Sequence, residues 1–409
     1  MPELVISALG VTSAIGQGKA AFAEALFAGR HAFGRLQRPG RSEPGDDSAC
    51  FLGAEIADLS LPPRLPARSA RTASLAAQVA AATLQEAWDE ARLDQVDAGR
   101  IGLVVGGSNM QQRELVRLQA EFAGRAQYLR PSYATSFLDT DICGLCTELF
   151  GIRGFACTLG AASASGQIAL IQAAQAVAAG QADACIALGA LMDLSYWECQ
   201  ALRSAGAMGS DVFAGEPAQA CRPFDRRRDG FIYGENCAAL VVETAASARA
   251  RGLEPYAHIA GCAWVMDANR STNPSHEGEL RALRQALGQA GVDAAMIDYV
   301  NPHGTGSPLG DETELRAICD AGLAAASINA TKSITGHGLT AAGAVELAAV
   351  ALQLRAGRLH PTRNLDDPVA PGLNWVGAQA RQQSVRWAVS LSMGFGGFNS
   401  AVCLRHPQA

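Results

Sequence analysis

Three polar islands in an otherwise apolar chain carry the residue types that do chemistry. They are NPHGTGSPLGDETE (301–314), TKSITGHGL (331–339) and SMGFGGFN (392–399), each after an apolar run of strand length. Layered α/β sheets place their ligands at the C-terminal edges of strands, which makes these loops the candidate site. The chain has seven histidines, and two of them, His303 and His337, stand beside glycines in these islands. A third candidate lies earlier, in CTLGAASASGQIALIQAAQAVAAGQADACIAL (157–188). It reads as a strand, a turn of small residues and a helix of about four turns whose head is near Ser163. A helix N-terminus offers unpaired N–H groups and the positive end of a dipole, so an anion-stabilising site is expected there.

Other chemistries find no support in the spacing. The phosphate-cradling G-x-x-x-x-G-K-[ST] and G-x-G-x-x-G loops are absent in the required context, and so is the G-x-S-x-G elbow. No H-x-x-x-H or paired metal spacing appears. Cys143 and Cys146 form a C-x-x-C with no second pair, which favours packing over metal or redox chemistry.

The elements that must position these residues alternate between strand and helix. Strands are expected at 3–15, 101–108, 256–263, 299–302 and 327–331, and in ADACIALGA, AALVVET, WAVSLSMG and NSAVCLR. Helices are expected at Lys19–Ala28, Thr72–Ala91, Gln111–Gly124, Glu277–Ala290, Asp311–Ala321 and 340–356, with 35–71 a surface excursion. This predicts α/β layers with largely parallel sheets. No Asp, Glu, Lys or Arg lies between Gly160 and Gly180. A helix without a charged face is buried or spans a membrane. Gln167, Gln172, Gln175 and Asp183 interrupt it too often for a span, so a central buried helix is expected. An internal echo supports this: 163–180 lies over 340–357 without a gap, setting Gly166 on Gly343 and Ser163 on Thr340. Two such halves suggest a duplicated fold, divided as 1–245 and 246–409.

With 409 residues, 49 % hydrophobic and 18 % charged, the chain reads as an ordinary globular protein, and its net charge of −6 gives no case for nucleic acid or an anionic membrane. Eleven scattered cysteines and an N-terminus without a basic region suggest reduced thiols in a cytoplasmic protein.

The segments ACRPFDRRRDGFIYGE, PHGTGSPLGDETEL, TKSITGHGLTAAGAVE and SMGFGGFNSAV together resemble the β-ketoacyl-ACP synthase (ketosynthase) family of thiolase fold, in the right order and across essentially the whole chain. The resemblance implies a duplicated α-β-α-β-α layered fold with two central buried helices. It also implies a homodimer with no bound cofactor, and a substrate delivered on the phosphopantetheine arm of an acyl carrier protein (ACP). His303 and His337 then occupy the two catalytic histidine positions. Lys332 and Glu314 match supporting charges that fix the histidine loops, with a buried ion pair as the alternative reading. Thr305 and Ser307 match positions that bind the pantetheine arm. Phe395 matches the gatekeeper whose N–H joins that of the nucleophile as an oxyanion hole, while Gly394, Gly396 and Gly397 serve loop conformation.

One position departs from the family. Ser163 stands where the catalytic cysteine belongs, and Cys157 is six residues too early to replace it. A hydroxyl is far less acidic than a thiol with a pKa near 8.5, so acyl loading and condensation should fail. Decarboxylation needs only donors for the enolate oxygen. Serine for cysteine with both histidines retained resembles the decarboxylating ketosynthases of polyketide β-branching cassettes, which supply acetyl-ACP to an HMG-synthase-like partner. Three other readings stay open: a non-catalytic subunit like a chain-length factor, an acyltransferase using Ser163, or a condensing enzyme with an engineered serine.

Overall fold

Apolar runs bounded by glycine and loop residues become the strands of one large sheet. The computed structural model describes residues 2–43 and 45–409; Met1 and Pro44, the latter inside the 35–71 excursion, lie outside the described residues. The main path holds β1 (Leu4–Ser13), β2 (Ile101–Gly106), β3 (Ala156–Leu159), β4 (Ala184–Gly189), β5 (Asn236–Thr244), β6 (Ala257–Met266), β7 (Tyr299–Asn301), β8 (Ser327–Ile328), β9 (Trp387–Gly394) and β10 (Phe398–Arg405). Their order is β8-β7-β9-β10-β6-β1-β5-β4-β2-β3, with Gly16–Gln17 paired on β1. Each strand of β6–β10 holds the place of the strand five labels earlier. The path is two copies of one pattern meeting at β1–β6, where Val5 pairs with His258 and Ile6 with Ala257.

The expectation of largely parallel pairing is corrected here. β2 runs parallel to β3 and β4, and β7 to β8 and β9. β1–β5, β4–β5, β6–β10, β9–β10 and the β1–β6 seam are antiparallel. Parallel neighbours need a crossover over one face of the sheet. The segment 190–235, which holds the helix Tyr196–Ser204, and the short turn 395–397 return the chain as β5 and β10, antiparallel to β4 and β9.

The longest helices of the layers are α1 (Leu75–Ala91), α2 (Ser165–Ala178), α3 (His276–Ala290), α4 (Pro308–Asp320) and α5 (Ala342–Ala356). Apolar residues of α2 and α5 join strands of both halves in one central core. A second core lies under α1, and a third under α3 and α4. The result is the duplicated α-β-α-β-α layering with two central buried helices. The stretch Leu339–Ala356 is long and apolar enough to cross a membrane, yet 83 % of it is buried in the protein.

The echo between the two central helices has a physical cause. A Cβ on Gly166 would come within 2.8 Å of the Ala344 nitrogen, and one on Gly343 within 2.8 Å of Gln167 Cβ. The aligned glycines are where the helices touch, and a larger residue at either would push them apart. Two boundaries also move. α4 starts at Pro308 rather than Asp311, because Ser307 Oγ accepts the Gly310 N–H and caps it. The strand expected over 327–331 stops at Ile328, since Lys332–Thr335 already forms a helical turn. Cys143 and Cys146 pack in the core beneath α1.

Candidate active site

β3 ends at Leu159 and α2 begins at Ser165, so Ser163 stands in the turn between them, two residues ahead of the helix. Ala162 before it adopts φ 47°, a left-handed conformation that costs a residue with a Cβ roughly 1–2 kcal/mol. Ser165 holds the turn: its Oγ accepts the Ala161 N–H (2.8 Å) and donates to the Ala162 carbonyl (2.7 Å). The β9–β10 turn lies directly against it. A Cβ on Gly394 would sit 2.2 Å from the Ala161 carbonyl, so only glycine allows this approach. Among the described residues, neither the Ser163 N–H nor the Phe395 N–H donates a hydrogen bond, and both residues line one cavity.

His303 and His337 line the same cavity, their rings 5.4 Å apart and nearly perpendicular. Their proton positions follow from their partners. The Leu339 N–H donates to His337 Nδ1 (3.3 Å), so that nitrogen carries the lone pair and Nε2 carries the hydrogen. His337 Nε2 lies 3.0 Å from Ser163 Oγ. The Lys332 ammonium, a donor only, lies 3.3 Å from His303 Nδ1 and also donates to the His303 carbonyl, which leaves the His303 proton on Nε2 as well. Burial, then the Lys332 charge, hold both imidazoles well below the usual histidine range; His337 adds to the effect on His303. Two neutral rings therefore present two N–H donors. His337 cannot act as the base that a serine nucleophile needs.

A buried ion pair between Lys332 and Glu314, the alternative reading of these two residues, does not form among the described residues. Glu314 accepts the backbone N–H groups of His303 (2.5 Å) and Gly304 (2.8 Å). The counter-ion of Lys332 is Glu346 on α5, at 2.5 Å. Burial pushes the Glu346 carboxyl up to about 7 against the pull of Lys332. Sequence reasoning missed Glu346, although it is the lone acidic residue in an apolar helix. It also missed Asp311, which accepts the Gly306 N–H (3.0 Å) and the Phe224 N–H (2.6 Å) and so shapes the loop after His303. Phe231, whose ring meets His337 edge-on at 4.9 Å, is a third omission.

The cavity measures about 320 Å³. Thr305, Ser307 and Leu309 line it together with Phe395, which is 39 % exposed, and Met192, Phe231 and Leu339 add apolar surface. Thr305 Oγ1 accepts the Ser307 N–H (3.2 Å), leaving its hydroxyl hydrogen free to donate. Cys157 lies on β3 and takes no part in this lining.

Residues 1–248 match the family described as "Beta-ketoacyl synthase, N-terminal domain", and residues 256–366 match its C-terminal domain. The chain is 54 % identical over 406 residues to the "Polyketide biosynthesis malonyl-ACP decarboxylase PksF" of Bacillus subtilis, covering 99 % of this chain and 97 % of that protein. It is 31 % identical to the 3-oxoacyl-[acyl-carrier-protein] synthase 2 of Synechocystis, covering 99 % and 98 %. A solved β-ketoacyl synthase from Burkholderia phymatum superposes with a TM-score of 0.87 at 27 % identity, covering 99 % and 100 %.

Proposed function

This chain belongs to the β-ketoacyl synthase family, and on that footing we propose that it decarboxylates malonyl-ACP to acetyl-ACP in polyketide assembly. The malonyl thioester enters on the pantetheine arm past Thr305, Ser307 and Phe395. Its thioester carbonyl oxygen meets the two Nε2–H groups of His303 and His337. The bond from the α-carbon to the carboxylate breaks, CO2 leaves, and the electron pair becomes the enolate of the acetyl thioester. The α-carbon of the enolate then takes a proton from solvent, which completes the acetyl group. Each donor to the enolate oxygen contributes about 3 kcal/mol, by the scale of a lost oxyanion-hole donor. The N–H groups of Ser163 and Phe395 form a second donor pair on the same cavity, while Lys332 and Glu314 hold the His303 loop.

The observation that carries this reading is the Leu339 N–H on His337 Nδ1. It makes His337 a donor toward Ser163 and leaves the serine without a base, so enolate chemistry is supported and acyl transfer is not. The acetyl-ACP suits a β-branching cassette, in which a condensing partner takes it onward. Release of CO2 from malonyl loaded on a carrier protein tests the proposal. No release above the uncatalysed background would end it.

The homodimer belongs to the same proposal, and the edge of the sheet supports it. Leu103 N–H bonds to the Phe155 carbonyl and Gly107 N–H to the Leu159 carbonyl, so Ala156 and Thr158 turn their backbone groups outward from β3. Exposed edge strands invite pairing with another chain. Thr158→Pro removes an outward N–H while leaving the bonds to β2, and light scattering should show a dimer become a monomer. A monomeric parent protein contradicts the assignment.

A further inference from the structure

One residue of α3 sits without a partner at the joint between the two loops that carry the site. Glu279 is 1 % exposed, and among the described residues neither of its carboxylate oxygens has a hydrogen bond. Its neighbour Gly278 packs so tightly that a Cβ would come within 2.0 Å of Asp267 Oδ1. Asp267 in turn accepts from Asn399 Nδ2 (2.8 Å) and donates its N–H to the Gly397 carbonyl (2.9 Å), which ties this end of α3 to the Phe395 turn. From α4, Glu279 is faced by Glu314, the carboxylate that holds the amides of His303 and Gly304. The charges facing Glu279 are therefore Glu314 and Asp267, both negative. Lys332, which acts on Glu314, is engaged by Glu346 and the His303 carbonyl. The dipole at the head of α3 favours an ionised carboxylate, but it is opposed by burial and two like charges.

Two buried carboxyl groups of like charge retain a proton between them, and it settles where the ionised form is least supported. Glu314 accepts two N–H bonds, one on each oxygen, which suits the ionised form. Glu279 accepts none. We infer that Glu279 carries the proton of this pair and is a positioning residue: as the neutral acid it leaves Glu314 ionised to grip the His303 loop. Burial first, and Glu314 second, push the Glu279 carboxyl well above the usual range. Burial also raises Glu314, to about 8, but its two N–H bonds and Lys332 oppose the rise, and Glu279 has no such opposition.

The linkage has a definite sign. The unfolded chain ionises Glu279 near the ordinary value of about 4.3, the folded chain only at higher pH. Between those values the folded protein binds more protons, so its stability falls as pH rises. Glu279→Gln is neutral throughout and escapes this fall. Its Tm should match the parent at about pH 5 and exceed it by a margin that grows through about pH 8. Glu279→Leu, also neutral and of similar size, should show the same trend if the glutamine variant folds poorly. At about pH 8, above the Glu346 value of about 7, the infrared difference between the parent and either variant should show a protonated carboxyl band that the substitution removes.

A second arm rests on the decarboxylase reading: the parent rate should fall severalfold as rising pH ionises Glu279, and that of Glu279→Gln over the same range by less than about twofold. A Tm difference equal at both pH values, with no carboxylic acid band lost on substituting Glu279, would show Glu279 ionised in the fold and overturn the inference. Should the Tm and infrared arms hold while no CO2 is released by either protein, the decarboxylase reading fails and the proton assignment stands.

Discussion

His303→Ala and His337→Ala are each expected to lower the rate of CO2 release by about 10²–10³-fold, the cost of removing one preorganised oxyanion donor. Both rings are buried and neutral, each with its hydrogen fixed on Nε2 by a partner at Nδ1. Such donors act in a water-poor cavity and need no reorganisation as charge develops on the oxygen. Because the two act on one atom, the double variant should lose less than the product of the single losses. Single-turnover rates on malonyl-loaded carrier measure this, with Tm confirming that the variants fold. Full rate in either single variant would remove that ring from the enolate assignment.

The second large effect separates stability from chemistry. Glu346→Leu leaves the Lys332 ammonium 1 % exposed and without its counter-ion. Stranding a buried charge costs about 3–5 kcal/mol, and at pH 8, above the Glu346 value of about 7, the loss should show in full as a lowered Tm. Lys332→Met combined with Glu346→Leu removes both charges, and an apolar pair of similar volume is often neutral or stabilising. The double variant should therefore recover its Tm. Its rate should stay low, because no ammonium then fixes His303 Nδ1. Recovery of both quantities would mean that Lys332 serves packing alone.

Much of the site was legible because its loops are short and local. The islands at 301–314, 331–339 and 392–399 hold His303, His337 and Phe395 in runs of glycine, and the structure brings all three to one cavity with Ser163. The duplicated fold was legible in the echo, since Gly166 and Gly343 must both be small where the central helices touch. Strand direction was not, because it depends on how a chain returns to the sheet, and alternating strands and helices do not encode that. Nor were the charge partners. Lys332 meets Glu346 across 14 residues and a change of element, while Glu314, the partner that the motif itself offers, turns to backbone amides instead. Local pattern places a charged residue near a site, but long-range packing decides its partner.

Intact mass spectrometry of carrier and enzyme together, during turnover of malonyl-ACP, tests the central claim most directly. Acetyl-ACP should accumulate while the enzyme keeps its own mass, since the donors of His303 and His337 act without a covalent bond between the acyl group and Ser163. An acyl group on Ser163, or a malonyl-ACP that persists unchanged, would contradict it.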